Sequence, residues 1–437
     1  MTTEQNLFTP LLKPKNFKPY LTDYKNQIVR FMDLFAGLGG LRLGFEQALS
    51  SIGLKSECVL SSEIKKSALK AYANHFKEIP QGDITKIDTN NIPNFDILLA
   101  GFPCQPFSSA GKRRGLEDTR GTLFFEIMRF LLTKKPKGFL LENVPGLLTH
   151  DKGKTFSIML HHLEECGHFV NYKLLNAKDF GVAQNRERLY IVGSLSCHID
   201  LDNFPITKCV FKDIQEHHLE LLNTPFTQKI LSQFTPNELY GKAIKDKRGA
   251  SNNIHSWDLE LRGAVNQTQK DLLNLFLKER RKSKYAILWG TPKKDGVPLS
   301  LKSIQDFFNH ADLISLLDDL VVKGYLKQIK NPKNNELGFA LSGGKLSFEF
   351  SKILHPNEPT PTLVASDMHK IGVIDFKDKK AGLRRLSIQE GLRLFGFPKN
   401  YTLNTPYKES MDLLGNSVCA CYPSYQQETY KDYIKRI

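Results

Sequence analysis

Val29-Arg-Phe-Met-Asp-Leu-Phe35 is a mostly apolar run that ends on a glycine-rich turn, Ala36-Gly-Leu-Gly-Gly40. The residues that follow, Gly40 to Leu49, place Leu41, Phe45, Ala48 and Leu49 on one helical face. Strand, tight turn and amphipathic helix in that order open a parallel α/β sheet, and such sheets bind ligands at the carboxyl ends of their strands. Working outward, Cys58-Val-Leu-Ser-Ser62, Phe95-Asp-Ile-Leu-Leu-Ala100, Gly138-Phe-Leu-Leu141 and Arg188-Leu-Tyr-Ile-Val-Gly193 read as further strands. The last follows a polar loop and is expected near an edge. The fold class expected over 28–193 is α/β, a doubly wound and mainly parallel sheet of Rossmann-like type.

The first turn departs from the dinucleotide fingerprint G-x-G-x-x-G, which needs glycine at the position held by Arg42. A ligand without a pyrophosphate fits better, because Gly37, Gly39 and Gly40 lack the Cβ atoms that would keep it from the backbone. Glu63 ends the second strand, where an acid can accept from a ribose diol. Asp83, in Gly82-Asp-Ile-Thr85, could accept from an adenine amino group. Taken singly each acid serves equally well as a cap; their shared position at strand ends favours the ligand reading.

The chain has 437 residues, 41% hydrophobic and 24% charged, the composition of a soluble globular protein with room for one large domain and a smaller one. No apolar run approaches a bilayer span, and Met1-Thr-Thr-Glu-Gln-Asn-Leu-Phe-Thr-Pro10 has no leader pattern, so a cytoplasmic protein without a membrane partner is expected. Seven cysteines without a CxxC pair argue against a disulfide framework and against a bound metal, and Cys419 and Cys421 read as packing residues. A net charge of +15 suits a chain that neutralises a polyphosphate backbone.

From about Ser194 to Lys380 the alternation stops and the chain turns basic and irregular, which marks a second lobe over 194–382. Its densest cationic cluster is Lys278-Glu-Arg-Arg-Lys-Ser-Lys284, readable as a solvated helix end or as a phosphate contact. Leu313, Ile314, Leu316, Leu317, Leu320 and Val321 form a helical stripe ended by Gly324. Lys327–Asn335 reads as a loop, Gly343-Gly344 as a turn, and Leu346-Ser-Phe-Glu-Phe350 as a strand. Together they suggest a winged helix-turn-helix module over about 266–352. Residues 1–27 form an N-terminal extension, and 383–437 is a C-terminal segment expected to return to the first domain.

Five blocks stand in one linear order: Asp33-Leu-Phe-Ala-Gly-Leu-Gly-Gly40, Gly101-Phe-Pro-Cys-Gln-Pro-Phe-Ser108, Leu141-Glu-Asn-Val-Pro145, Gln184-Asn-Arg-Glu-Arg-Leu-Tyr190 and Gly415-Asn-Ser-Val418. In that order they resemble the DNA cytosine-C5 methyltransferase family, in its bacterial restriction-modification form. A lone cysteine is usually a small buried hydrophobe and a lone glutamate a cap, so the weight rests on their joint occurrence. The resemblance covers roughly the first two hundred residues and the last sixty, and leaves the middle lobe unmatched.

The resemblance implies a methyltransferase fold with a smaller mixed target-recognition domain, S-adenosylmethionine as donor and S-adenosylhomocysteine as product. Phe35, Gly37, Gly39, Glu63, Asp83, Ile84, Leu123, Asn416 and Val418 would form the cofactor pocket. Cys104 would be the nucleophile, Glu142 the proton partner of the base, and Arg186 and Arg188 cations that hold the base oxygen or a carboxylate. Gln105, Ser108, Lys112 and Arg113, in a small and basic loop, and Thr362 in Thr360-Pro-Thr-Leu-Val-Ala-Ser366 would contact DNA. Double-stranded DNA is the implied substrate, a cognate restriction endonuclease acting at the same site a possible partner, and a monomer the implied state. The alternative is an RNA (tRNA) cytosine-C5 methyltransferase; a catalytically silent relative and a nicotinamide oxidoreductase are opposed by the intact reactive blocks and the missing fingerprint.

Overall fold

Near-continuous apolar runs, buried on both faces, build the central strands of the sheet that positions the candidate site. The computed structural model describes residues 28–103, 123–202, 204–246, 252–290, 296–342 and 348–420. Its first unit comprises Met1–Cys209, Leu392–Thr405 and Asn416–Ile437, and its second Val210–Gly391 and Pro406–Gly415. In chain order the first unit contains β1 (Ile28–Leu34), α1 (Gly40–Ser51), β2 (Lys55–Ser62), α2 (Lys66–Phe76), β3 (Ile97–Gly101), α3 (Leu123–Lys134), β4 (Gly138–Asn143), α4 (Lys154–Glu165), β5 (Phe169–Asn176) and β6 (Glu187–Ser194). The strands form one sheet in the order β2-β1-β3-β4-β6-β5, parallel from β2 to β4, with β6 antiparallel to both its neighbours.

Successive residues of a strand face opposite sides of a sheet. Met32, Leu34, Leu98, Ala100, Leu141, Leu189 and Ile191 accordingly pack with Ile127, Phe130 and Leu131 of α3 and Phe156, Met159 and Leu163 of α4. Phe31, Ile97 and Leu99 pack on the other side with Leu41 and Phe45 of α1. Fully burying one such side chain contributes about 1.5–3 kcal/mol, so both faces are stabilised by the same period-two pattern.

The strand over Arg188–Gly193 lies near an edge, one strand in from it. β6 lies inside the sheet between β4 and β5, and β5 is the edge. β5 escapes a sequence reading because Asn171, Lys173 and Asn176 interrupt its apolar residues, and Phe169, Tyr172 and Leu174 stay largely exposed.

The second unit is more regular than its composition suggests. It contains α5 (Pro225–Gln233), α6 (Pro236–Leu239), β7 (Ala243–Ile244), β8 (Asn253–Ile254), α7 (Gln267–Glu279), α8 (Ser283–Trp289), β9 (Leu299–Ser300), α9 (Leu301–Gln305), α10 (Leu313–Val322), β10 (Leu326–Lys330), β11 (Leu337–Leu341), β12 (Lys352–Ile353), β13 (Ile371–Lys377) and β14 (Lys380–Arg385). The short helix α11 (Ile388–Arg393) and then α12 (Tyr407–Gly415) follow.

Two cores organise this unit. The sheet β14-β13-β12-β7-β8 surrounds Ile353, Phe350, Ile374 and Leu383. The antiparallel sheet β10-β11-β9 packs with α7, α8 and α10 around Leu273, Phe276, Tyr285, Leu317, Leu320 and Phe339. Asn266 and Gln269 cap α7 reciprocally, and Gln269 Nε2 donates to Asp319 of α10 at 2.6 Å.

Part of Lys327–Asn335, read as a loop, is strand β10, whose lysines conceal an antiparallel partner distant in sequence. No strand forms at 348–350, while Leu346 and the Gly343-Gly344 turn lie outside the described residues. Of the stripe on α10, Leu313, Leu317 and Leu320 are buried whereas Ile314 is 61% exposed. Gly324, at φ 75°, follows the helix in the left-handed conformation that ends it.

Candidate active site

The carboxyl ends of β1, β3 and β4 bring the first residues together. A Cβ built on Gly101, at the end of β3, would stand 3.1 Å from a Val418 methyl, 3.6 Å from Glu142 Oε2 and 3.8 Å from a Leu41 methyl. Glu142 at the end of β4 and Val418 from the C-terminal stretch therefore share one locus. Asn143 is buried beside them; its Nδ2 donates to the Phe102 carbonyl at 3.0 Å and its Oδ1 accepts from Val144 N at 2.8 Å. That pair of bonds fixes the backbone two residues before Cys104.

Glu142 is 6% exposed and pairs with Arg188 through Nε to Oε1 at 3.0 Å. Burial pushes its carboxyl above the ordinary value, against the guanidinium groups of Arg188 and Arg186, which pull it down. Arg188 also donates to its neighbour's carbonyl at Glu187. Arg186 also reaches the C-terminal stretch. Its Nη2 donates to the Ser417 carbonyl at 2.8 Å, and its guanidinium lies 4.9 Å from the Phe395 ring centre. Gln184, fully buried, donates to the Leu394 carbonyl at 2.7 Å. The Gln-Asn-Arg-Glu-Arg block thus supplies one ion pair and a second nearby cation to the carboxylate, and ties the sheet to the segments around 394 and 417.

Around the first turn, the glycines serve distinct purposes. A Cβ on Gly39 would meet the Phe76 ring at 2.4 Å, and one on Gly40 would meet the Val418 carbonyl oxygen at 2.2 Å. Both small residues admit protein neighbours. Gly37, at φ 55°, has only the Phe35 carbonyl at 4.0 Å and leaves the space a ligand needs. Phe35 is itself left-handed at φ 55°, an uncommon state for a side-chain-bearing residue, and packs partly against the core.

Glu63 is engaged by the backbone. Oε2 accepts from Gly37 N at 2.8 Å, and Oε1 from Ile64 N at 2.8 Å and Lys65 N at 2.7 Å. A carboxylate has about four acceptor sites, so this arrangement leaves room for one further donor. Asp83 Oδ1 accepts from the Thr85 amide and hydroxyl, bonds that hold its carboxyl below the usual range. Ile84 turns its side chain into the core. Leu123 opens α3, half-buried; Asn416 is exposed and Val418 half-buried. Glu63 follows the end of β2 as expected, whereas Asp83 ends no strand and caps the short 3-10 turn Ile84–Lys86; with the open turn at Gly37 and the Phe35 ring they fit a nucleoside-bearing donor without a pyrophosphate.

Cys104, Gln105, Ser108, Lys112 and Arg113 lie outside the described residues. Thr362 is exposed in the second unit. Among the described residues no group of His, Cys, Asp or Glu has the arrangement of a metal site, and no helix is long and apolar enough to cross a membrane.

A polar cluster beneath the turn escapes a reading by motif. Arg42 Nη1 donates to the Tyr72 hydroxyl at 2.9 Å and pairs with Glu78 at 2.8 Å, while its Nε meets Glu46 at 2.8 Å. The Tyr72 hydroxyl donates to Asp33 Oδ2 at 3.1 Å, and the Arg42 guanidinium lies 4.0 Å from the Phe76 ring centre. Burial raises Asp33 to about 7, opposed first by Arg42. The one sequence signal is the arginine standing where the fingerprint would have glycine.

The model of the C-5 cytosine-specific DNA methylase family matches residues 29–422. Type II methyltransferase M.NlaIV of Neisseria lactamica is 50% identical over 411 residues, covering 90% of this chain and 96% of that protein. Type II methyltransferase M.NgoBV of Neisseria gonorrhoeae is 49% identical over 411 residues with the same coverage. Type II methyltransferase M.BanI of Aneurinibacillus aneurinilyticus is 41% identical over 416 residues, covering 89% of this chain and 92% of that protein. With its blocks in order and its family model matched nearly end to end, the chain belongs to the C-5 cytosine-specific DNA methylases.

Proposed function

We propose that this DNA cytosine-C5 methyltransferase acts on a cytosine turned out of a short, specific duplex sequence, with Cys104 adding at C6 and Glu142 serving N3. The buried, arginine-held carboxyl of Glu142 at a strand end is the observation that carries the reading. Cytosine C5 is a poor nucleophile because attack costs the ring its conjugation. Thiolate addition at C6, with a proton delivered to N3, converts C5 into the carbon of an enamine. S-adenosylmethionine supplies the electrophilic methyl group when bound. The C5 proton then leaves to solvent, the thiolate is expelled and the N3 proton returns to Glu142, restoring the neutral ring with one methyl added.

Each residue has a physical role in this scheme. Cys104 must act as thiolate, although an ordinary cysteine is only a few per cent ionised at neutral pH. Glu142 needs its proton, and burial supplies the bias. Arg188 orients that carboxyl. Phe35, Gly37, Glu63 and Asp83 would receive the donor, with Glu63 taking one ribose hydroxyl while its backbone bonds hold the turn. Rotating the base out of the stack costs a few kcal/mol, which Gln105 in the vacated space and Ser108, Lys112, Arg113 and Thr362 along the backbone would offset. A monomer and a cognate endonuclease complete the restriction-modification reading. The family match and the Type II relatives favour DNA over transfer RNA.

The decisive experiment is to incubate purified protein with S-adenosylmethionine and unmethylated duplex DNA and map 5-methylcytosine at base resolution. Methylation at one short recurring motif is expected. Cys104→Ala should abolish it while retaining cofactor binding by calorimetry; full residual activity in that variant would remove the thiolate from the reaction.

A further inference from the structure

The module built from α7 to β11 segregates its charge. Helix α10 displays Ile314, Ser315, Asp318 and Val322 on its exposed face, with Asp312 just before it. Neither Asp312 nor Asp318 has a cationic partner among the described residues, so this face repels phosphate. Asp319, by contrast, is held by Lys323 and Gln269. Part of the cationic cluster of the same module is engaged internally. Lys282 pairs with Glu279 at 2.6 Å and Lys284 lies over the Tyr285 ring, while Lys278 is exposed.

The antiparallel ribbon β10–β11 has the opposite character. Lys327, Gln328 and Lys330 are exposed, and neither lysine has a hydrogen-bond or ion-pair partner among the described residues. Strand β9 pairs with β11 only at Gly338 and Phe339, so the Lys330–Leu337 pair and the turn over 331–336 extend beyond the three-stranded part. The turn is closed by Asn331 N to the Glu336 carbonyl at 2.8 Å and Asn335 N to the Asn331 carbonyl at 2.9 Å. Leu337 is 41% exposed at the tip. Side chains alternate across a strand, so Lys327 and Lys330 emerge on opposite faces, about 10 Å apart along it. A major groove about 12 Å wide admits a two-stranded ribbon with a phosphate wall on each side.

We infer that the ribbon β10–β11, through Lys327 and Lys330, and not helix α10, is the part of this module that meets the phosphates of the duplex. The inference rests on the duplex-DNA reading above. Lys333 is left out of the contact because its side chain already lies against Gly290 at the end of α8.

The test uses the full-length enzyme, a fluorescent duplex carrying the mapped motif, and the same duplex with the motif scrambled, titrated over a series of salt concentrations. Replacing both Lys327→Ala and Lys330→Ala should weaken binding to the two duplexes by similar factors. It should also make the slope of log affinity against log salt shallower by about 1.8, for two phosphates at about 0.9 each. The KM for DNA should rise with kcat at saturating DNA unchanged, and Lys→Arg at both positions should restore the slope. Asp318→Ala should leave the preference for the motif unaltered. An unchanged salt slope in the double alanine variant, with a wild-type melting curve, overturns the inference, as does an altered motif preference in Asp318→Ala. Failure of the wild-type enzyme to methylate any duplex would instead remove the duplex reading, and this inference with it.

Discussion

Glu142 stands between burial, which favours its proton, and two guanidinium groups, which favour its charge; burial prevails. If the protonated carboxyl serves N3, kcat persists above the ordinary carboxylate range and declines as pH rises through the raised value. Glu142→Gln should lower kcat by roughly 10²-fold and remove that decline. Arg188→Ala removes a group that lowers the value, so the decline should move to higher pH. Single-turnover rates across a pH series check both expectations. Asp33 offers a stability test of the same kind. Its folded value of about 7 exceeds the ordinary 3.8, so the folded state binds the extra proton, and stability falls as pH rises through that window. Asp33→Asn should therefore raise the melting temperature more at about pH 8 than at about pH 5, as read by calorimetry.

At the scale of elements, the turn between β1 and α1 is held by the C-terminal stretch as much as by its own glycines. Gly40→Ala would set a Cβ against the Val418 carbonyl, backbone against backbone. A cost of about 1–3 kcal/mol is expected, with a raised KM for S-adenosylmethionine, measurable by denaturant melts and initial rates. What was legible in the sequence followed the range of the forces involved. β1, α1 and the strands at 58, 95 and 138 announce themselves because apolar periodicity is local. The reactive blocks were legible for the same reason, as short motifs. The Arg188–Glu142 pair joins residues 46 positions apart, and the Asn143 bond to Phe102 joins 41, so neither partner could be named from spacing. The cluster of Arg42, Tyr72 and Asp33 was equally hidden. β10 was missed because its lysines conceal a strand whose partner is set by tertiary pairing.

For the molecule as a whole, a net charge of +15 makes DNA engagement depend on released counterions. Raising salt should raise the KM for DNA steeply while hardly changing the KM for the donor. Sedimentation of the free enzyme should give one chain per particle, and a concentration-dependent dimer would contradict the proposed monomeric action. The chain passes between its two units at 209/210, 391/392, 405/406 and 415/416. Helix α12 belongs to the second unit, where Cβ atoms built on Gly415 and Gly391 would press on Ala365 and Leu414. Recombination between relatives meets this path as a constraint. A single crossover within 392–405 would leave α12 from one parent to pack against residues 364–391 of the other, so an intact exchange of the second unit between relatives must carry 210–391 and 406–415 together.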